Sequence, residues 1–223
     1  MSKNLLKRLI TSFILLFLFL FINFSHQYVF ILSILILSFI ICIEANKMIS
    51  KMLSVKSFKK FNIKFLILNV LTFFYVFFIF CFFSYVIHSS ESEVFFFYIV
   101  SICFFTDIGG YVFGKILGGK KLSKISPNKT ISGTIGSFIS SIIPLIFFLN
   151  FDFLNLELNM NNILFCLLIS LISQLGDLFI SFIKRKAKIK DTGNLLPGHG
   201  GVLDRVDGII FAVPFSYFLL KLI

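Results

Sequence analysis

Seven long apolar runs constrain the fold of this chain more than any other feature. They lie at residues 9–24, 28–43, 63–87, 94–113, 131–149, 163–183 and 209–223. A helix of about 20 apolar residues crosses the roughly 30 Å hydrocarbon core of a bilayer. Charged residues make up only 14% of the chain, against roughly 25% in soluble domains. The sequence therefore predicts an all-α, polytopic integral membrane protein with about seven transmembrane helices, the last of them short.

The distribution of basic residues predicts how these helices cross the membrane. Apart from Lys221, every lysine and arginine lies in the N-terminal segment, or in or beside the second, fourth and sixth loops between the runs. The intervening loops carry no basic residue, and their acidic residues are Glu91, Glu93, Asp152 and Glu157. Because basic residues flanking short loops stay in the cytoplasm, we expect a cytoplasmic N-terminus. We interpret the first run as a retained helix, since no small-x-small cleavage site follows it.

The net charge of +11 is therefore expected on one membrane face. Basic residues near a bilayer attract anionic lipid headgroups by about 1 kcal/mol each, so the membrane itself is an expected partner. Their dispersal over separate loops argues against a nucleic acid partner. The second loop, with six lysines and Glu44, is expected to serve only topology and this attraction to lipid headgroups. The residues before Asp107 show only hydrophobicity.

The cysteines point to no metal or redox chemistry. They lie singly inside apolar runs, at Cys42, Cys81, Cys103 and Cys166. Since no Cys-x-x-Cys or mixed Cys/His spacing occurs, neither a zinc site nor a disulfide framework is predicted. We interpret all four as small hydrophobic residues of the helices.

A polar segment between the last two apolar runs carries the strongest functional signal. It reads Ser181-x-x-Lys184-Arg185, then Lys190-Asp191, then Pro197-Gly198-His199-Gly200-Gly201-x-x-Asp204-Arg205-x-Asp207. Basic side chains and glycines can hold phosphates, carboxylates can hold cations, and this place between two spans suits chemistry on a lipid headgroup. The pattern resembles the C-terminal signature of the phosphatidate cytidylyltransferase (CDP-diacylglycerol synthase) family. Every position of that family's motif is filled here.

A second segment of the chain is similar to the same family. Asp107-x-x-x-Tyr111-x-x-Gly114-Lys115 places a carboxylate within an apolar run, where a charge costs about 2.5–3.5 kcal/mol and is by default functional. The alternative is a hydrated position near the cytoplasmic end of the span. The stretch also spells Gly-x-x-x-x-Gly-Lys, but Ile116 stands where the metal-binding hydroxyl belongs and no soluble strand precedes it. We therefore interpret the P-loop match as coincidence.

A third segment is the run Ser126-Pro127-Asn128-Lys129-Thr130-x-x-Gly133. It resembles the family's S-P-x-K-T-x-x-G motif, with Ser132 where Glu is common in the family. Lys129 and Thr130 precede an apolar run, where the positive end of a helix favours an anionic phosphate. The segment is predicted to face the nucleotide, and the alternative is an ordinary helix N-terminus.

Three aspartates form a candidate metal site. Asp177 lies seven residues before Lys184, about two turns or roughly 10 Å deeper in the sixth span, and shares a helix face with Ser181. Asp204 and Asp207, spaced three apart, are expected to face the same side at the start of the last span. Unpaired buried carboxylates are costly, and magnesium takes all-oxygen ligands that include substrate phosphates. These aspartates therefore suit magnesium.

The resemblance implies a reaction and a role for each residue. CTP and phosphatidate would give CDP-diacylglycerol and pyrophosphate at the cytoplasmic face, with the lipid phosphate as nucleophile and Mg²⁺ as cofactor. The implied catalytic residues are Asp177, Asp204, Asp207, Lys184 and Arg185, and the three aspartates are the implied metal ligands. The implied substrate-binding residues are Asp107, Lys129, Thr130, Ser181, Lys190, Asp191, His199, Gly200, Gly201 and Arg205.

We further expect one transmembrane domain over residues 1–223. Its N-terminal spans cover 1–93, and its catalytic half covers 94–223 with the signature at 181–207. The expected partners are CTP, phosphatidate, the lipid bilayer and a second copy of the chain in a homodimer. The expected location is a bacterial inner membrane.

Several alternatives stay open at the level of sequence. Arg205 could pair with Asp204 or Asp207 in a purely structural role, and His199 could be a simple loop residue. A transporter or proton-coupled channel would also place aspartates within spans, but gives no reason for the D-R-x-D signature. Another CTP-using lipid enzyme, such as a polyprenol kinase or an archaeal-type CDP-lipid synthase, is harder to exclude.

Overall fold

Helices form the regular structure of the residues covered by the computed structural model, which describes residues 3–54, 63–122, 126, 129–150, 154, 156–198 and 200–222. The α-helices are α1 Lys3–Asn23, α2 Gln27–Met52, α3 Ile63–Phe74, α4 Cys81–Val86, α5 Glu93–Ile116, α6 Ile131–Ser140, α7 Ile143–Asn150, α8 Met160–Lys186, α9 Leu203–Val206 and α10 Ile209–Leu220. π-Helical segments extend α3 and α4, at Tyr75–Phe80 and Ile87–Glu91.

In the part of the chain that the structure describes, five helical stretches are long and apolar enough to cross a bilayer. They are Gln27–Met52, Ile63–Ser89, Glu93–Ile116, Ile131–Leu149 and Met160–Lys186. The all-α, polytopic membrane fold predicted from the sequence is thereby confirmed. The first and last apolar runs form shorter helices, the apolar part of α1 being Ile10–Asn23. A total of seven spans, and an active site on the cytoplasmic face, therefore stay predictions.

Helix α2 is longer than the apolar run that predicted it. The run ends at residue 43, but α2 continues to Met52 and takes Glu44 into the helix. Glu44 is only 1% exposed and lies on the buried stripe of this helix. Other members of that stripe are Ile41, Ala45, Met48 and Ile49. The expectation that this stretch serves only topology and attraction to lipid headgroups is therefore wrong for Glu44, which is buried inside the protein.

The chain packs as two compact units, and the first consists of Met1–Tyr85 and Ile183–Val206. In this unit α2 packs against α1, α3 and α9. The core of this unit includes Phe30 and Ile41 of α2 and Phe80 of the π-helical segment after α3, which are each 1% exposed. Leu203 of α9 is 2% exposed. The unit thus combines N-terminal helices with most of the polar signature.

The second unit consists of Val86–Phe182 and Asp207–Ile223. Here α5 packs against α6, α7 and α10. Its fully buried apolar side chains include six from α5, α7, α8 and α10, which are Ile99, Ile102, Leu145, Cys166, Ile169 and Val213. Tyr98 is also buried, and its hydroxyl lies 3.0 Å from the Cys166 sulfur.

Helices α5 and α6 approach closely because small residues face one another. Gly136 abuts the Phe113 side chain, Gly110 lies against Gly133, and the Ser137 hydroxyl donates to the Thr106 carbonyl at 2.8 Å. Small residues of this kind let two membrane helices pack backbone to backbone. The Gly-x-x-x-x-Gly-Lys stretch therefore belongs to a helix and its packing, which supports our interpretation of the P-loop match as coincidence.

Candidate active site

An ion pair within the first unit joins two residues that lie near opposite ends of the polar signature. The Lys184 amine, in the last turn of α8, lies 2.8 Å from Oδ1 of Asp204 in α9. Their side chains are 13% and 6% exposed. Removing either charge of a nearly buried pair would leave the other charge unpaired in a poorly solvated site, which is strongly destabilising. The two side chains therefore stay together.

The second oxygen of Asp204 accepts hydrogen bonds from the loop between α8 and α9. Oδ2 accepts hydrogen bonds from the Thr192 amide at 2.8 Å, the Thr192 hydroxyl at 3.1 Å and the Gly201 amide at 3.0 Å. Burial alone would raise the pKa of Asp204, but hydrogen bonds from Lys184, Thr192 and Gly201 and the Lys184 charge outweigh it and lower the pKa. Asp204 is therefore a carboxylate at neutral pH.

Glu44, which lies far from this loop in the sequence, also binds it through hydrogen bonds. Its Oε1 accepts from the Val202 amide at 3.1 Å, and its Oε2 accepts from the Leu203 amide at 2.8 Å and the Thr192 hydroxyl at 2.9 Å. We did not select Glu44 as a functional residue from the sequence. One signal in the sequence could have indicated it. Glu44 lies at helical spacing from Ile41 and Met48, so it falls on an apolar stripe that should be buried.

The glycine turn of the signature is packed against the protein itself. Leu196 and Gly200 form an isolated antiparallel bridge, and Gly198 and Gly200 adopt φ of 79° and 85°, which favour glycine. A side chain at Gly201 would collide with Thr192 and Glu44. Glycine at positions 200 and 201 therefore allows the backbone to approach the carboxylates of Asp204 and Glu44. Contact of these two glycines with substrate stays a prediction. His199 lies outside the described residues.

A second ion pair lies within the second unit. Lys129 pairs with Asp177 of α8, and the Ser181 hydroxyl donates to Oδ1 of Asp177 at 3.2 Å. The Lys129 and Asp177 side chains are 30% and 24% exposed, so solvent or a ligand can reach them. The structure thus joins Asp177 to Ser181, as the helical spacing predicted, and also to the lysine of the Ser126–Gly133 motif.

The backbone around Lys129 is fixed by pairing and by a helix cap. The amide of Leu122 donates to the Lys129 carbonyl at 2.8 Å, and that of Ile131 donates to the Lys120 carbonyl at 3.0 Å. Thr130 is the N-cap of α6, and its hydroxyl accepts from the Gly133 amide at 3.1 Å. This hydroxyl satisfies one of the free amides of the helix start. Thr130 therefore has the structural role of the ordinary helix N-terminus that the sequence left open, and its contact with nucleotide stays a prediction.

Asp207 lies beyond the end of α9, in the second unit. Because α9 ends at Val206, the argument that a shared helix face groups Asp204 with Asp207 does not apply. Asp207 is 8% exposed, and its Oδ1 accepts from the Gly208 amide at 3.0 Å. Its carbonyl oxygen would be 2.9 Å from a Cβ added at Gly176. The backbone of Asp207 is therefore packed against α8 beside the residue that precedes Asp177.

The other predicted site residues lie on accessible positions. Arg185, Lys190, Asp191 and Arg205 are exposed, as is Asp107 on α5. Asp191 also packs beneath the glycine turn, since a Cβ at Gly200 would lie 3.1 Å from that of Asp191. Exposure is compatible with ligand binding by these residues, which stays a prediction.

The predicted metal ligands differ in how much coordination capacity they retain. Among the residues with a described position, no three His, Cys, Asp or Glu side chains form a group that could hold a metal ion. A carboxylate offers about four lone-pair sites. Oδ2 of Asp204 already accepts from two backbone amides and shares the Thr192 hydroxyl with Glu44, which leaves Oδ1, the oxygen facing Lys184. Asp177 and Asp207 come from segments in direct contact, and their oxygens suit a hard cation.

The chain is similar in sequence to three curated relatives named phosphatidate cytidylyltransferase. It is 43% identical over 132 residues to the Bacillus subtilis protein, covering 56% of this chain and 47% of that protein. It is 45% identical over 127 residues to the Staphylococcus haemolyticus protein, covering 55% and 47%. It is 46% identical over 136 residues to the Staphylococcus aureus protein, covering 59% and 50%.

The chain spans about half the length of these curated relatives. The match to a family is broader, since the sequence pattern of the cytidylyltransferase family fits residues 48–223. That range includes the Lys129 segment and the whole signature, and it begins four residues after Glu44. This chain belongs to the cytidylyltransferase family.

Proposed function

We propose that this protein is a phosphatidate cytidylyltransferase, which transfers the cytidylyl group of CTP to the phosphate of phosphatidate and releases pyrophosphate. The observation that carries the proposal is the ion pair between Lys184 and Asp204. It brings both ends of the signature into one folded cluster, in a chain whose relatives bear this name. A second lysine–aspartate pair, Lys129 with Asp177, supports it.

The lipid phosphate is already an anionic nucleophile, so this chemistry needs no side chain to activate it. The difficulty is to bring two polyanions together and to stabilise the charge on the α-phosphorus and on the departing pyrophosphate. We propose that Lys129, Lys184, Arg185 and Arg205 bind phosphate oxygens. Asp107, Thr130, Ser181, Lys190, Asp191, His199, Gly200 and Gly201 are the further proposed contacts to substrate.

Carboxylates supply the proposed cation site. Asp177 and Asp207 would hold magnesium, and Asp204 has only Oδ1 to offer, because its other oxygen is committed to the loop. When bound, magnesium supplies positive charge that stabilises the phosphates during transfer. The residues themselves orient the phosphates, and Lys184 keeps Asp204 in its ionised form.

The environment of the enzyme belongs to the same proposal. The acyl chains of phosphatidate would stay in the bilayer while the headgroup meets CTP at the cytoplasmic face. The concentration of basic residues in the N-terminal segment and alternate loops supports a cytoplasmic N-terminus in a bacterial inner membrane. Assembly as a homodimer is also proposed.

The position of the radiolabel in CTP tests the reaction. The purified protein is given CTP labelled at the α-phosphate or at the γ-phosphate, with phosphatidate or a polyprenol as acceptor. Cytidylyl transfer moves the α label into lipid and leaves the γ label in pyrophosphate. Entry of the γ label into the polyprenol would instead show a lipid kinase. Failure of both labels to enter lipid under all conditions would contradict any CTP-dependent lipid synthesis and favour the transport alternative.

A further inference from the structure

Glu44 is a buried carboxylate whose hydrogen-bond donors all come from the signature loop. It is 1% exposed and accepts from the amides of Val202 and Leu203 and from the hydroxyl of Thr192. These donors lie 148 to 159 residues away in sequence. A buried carboxylate is tolerated only when donors satisfy it, so Glu44 and the loop constrain each other.

The loop is shaped to reach Glu44. Cβ atoms added at Gly193 and Gly201 would both collide with the Glu44 carboxylate. Glycine at these two positions is therefore what lets the backbone close around a side chain of α2. A Cβ added at Gly201 would also collide with the hydroxyl of Thr192, a residue that is itself 5% exposed.

The contacts of Glu44 and Asp204 adjoin one another along the same short stretch of backbone. Asp204 accepts from the amides of Thr192 and Gly201, while Glu44 accepts from the next two amides, those of Val202 and Leu203. The Thr192 hydroxyl lies within 3.1 Å of an oxygen of each carboxylate. Moving Glu44 would thus displace the segment that carries Asp204, and Lys184 with it.

We infer that Glu44 is a positioning residue of the reaction. By anchoring Thr192, Val202 and Leu203, it fixes Asp204 and the Lys184 amine at the place where phosphate is bound. The inference rests on the proposed function for its catalytic meaning. Glu44 itself touches no substrate in this account, because its oxygens are already surrounded by the loop.

The test compares Glu44→Gln with Ser38→Ala. Ser38 is a matched control because it is a fully buried polar residue of the same helix, with a contact to Cys81 instead of the loop. Hydrogen–deuterium exchange is measured first, without CTP or lipid. We expect amides 201–204 to exchange about tenfold faster in Glu44→Gln, as for loss of a hydrogen bond to a charged group, and to be unchanged in Ser38→Ala.

Kinetics with labelled CTP then separate positioning from general destabilisation. Misplacement of groups by about 1 Å can reduce rates on the order of 100-fold, so Glu44→Gln should lower kcat about 10- to 100-fold while the KM for phosphatidate stays within about twofold. Ser38→Ala should keep wild-type kcat. Wild-type exchange of amides 201–204 in Glu44→Gln, or loosened exchange with unchanged kcat, would overturn the inference.

A second pair of variants covers the case in which Glu44→Gln fails to fold. Thr192→Val removes the hydroxyl shared by the two carboxylates, and Thr192→Ser restores it. We expect faster loop exchange and lower kcat in the valine variant and recovery of both in the serine variant. Equal behaviour of the two would overturn the inference. Because exchange is measured without substrate, a wild-type protein that transfers no label would refute the proposed function and leave the anchoring result to be judged separately.

Discussion

The amine of Lys184 donates to Oδ1 of Asp204 at 2.8 Å, although the two residues lie 20 positions apart along the chain. The loop between them folds around this pair through Thr192 and Gly201, both of which donate to the other oxygen of Asp204. The polar signature is therefore a structural unit as well as a set of chemical groups. Substitutions within it should change stability and activity together.

Asp204→Asn tests that coupling. The amide keeps the size of the side chain but loses the charge and one acceptor oxygen, so Lys184 is left nearly buried without its partner. We expect the free energy of unfolding to fall by about 3 kcal/mol, the range for breaking a buried pair, and lipid synthesis to fall by at least about 100-fold. Denaturant unfolding in detergent and label incorporation provide the two measurements. Glu157→Gln, at an exposed position, is the control, and equal values in the two variants would contradict this prediction.

Lys129→Gln should separate binding from stability. The pair of Lys129 with Asp177 is partly exposed, and such pairs contribute only about 0–1 kcal/mol to folding. Loss of the amine should therefore leave the melting temperature nearly unchanged but raise the KM for CTP about tenfold, as for one charge-assisted phosphate contact. Lys120→Gln, at an exposed lysine nine residues before Lys129, serves as the control. An unchanged KM in Lys129→Gln would remove this residue from the nucleotide site.

Two glycine substitutions should differ in how strongly they disrupt the packing of α5 on α6. Alanine at Gly136 would place its methyl group against the root of the Phe113 side chain, which cannot move away. Alanine at Gly114 would meet the Thr130 hydroxyl at 3.1 Å and the Cα of Gly133 at 3.6 Å, an ordinary contact. We expect Gly136→Ala to destabilise the protein by about 1–3 kcal/mol and Gly114→Ala by less, as measured by thermal unfolding. The reverse order would contradict the described interface.

The sequence predicts much of this structure because apolar runs and helical segments nearly coincide. Spacing and family resemblance also selected Asp177, Lys184 and Asp204 as candidate site residues, and the structure places each of them in an ion pair. The sequence could not reveal that Lys184 meets Asp204, because the path of an irregular loop is not encoded in any periodic pattern. The argument that Asp204 and Asp207 share a helix face does not apply, since α9 ends at Val206.

Glu44 was missed for a different physical reason. A hydrophobic span is delimited by its first charged residue, so the predicted second span stopped just before Glu44, and the charge was assigned to a loop. The buried stripe through Ile41, Ala45 and Met48 carries the needed information, because helical periodicity places Glu44 among them. A charge on an apolar stripe signals a partner elsewhere in the chain, and here that partner is the signature loop.

The predicted topology can be measured by cysteine labelling. In a variant whose four native cysteines are replaced by alanine or serine, single cysteines are introduced at position 90 or position 123. We expect a membrane-impermeant reagent to label the two positions from opposite sides, because basic residues flank only alternate loops. The cysteine-free background should keep its activity, since the native cysteines serve as apolar residues of the helices. Labelling of both positions from one side would refute the arrangement.

The most direct test of the account is the stoichiometry of products made by the purified protein. Phosphatidate is presented in mixed micelles with CTP and magnesium, and CDP-diacylglycerol and pyrophosphate are quantified together. The account predicts equal amounts of the two, formed only when phosphatidate is present, lost in chelator and restored by magnesium. Pyrophosphate release without phosphatidate, or undiminished synthesis of CDP-diacylglycerol in chelator, would contradict it.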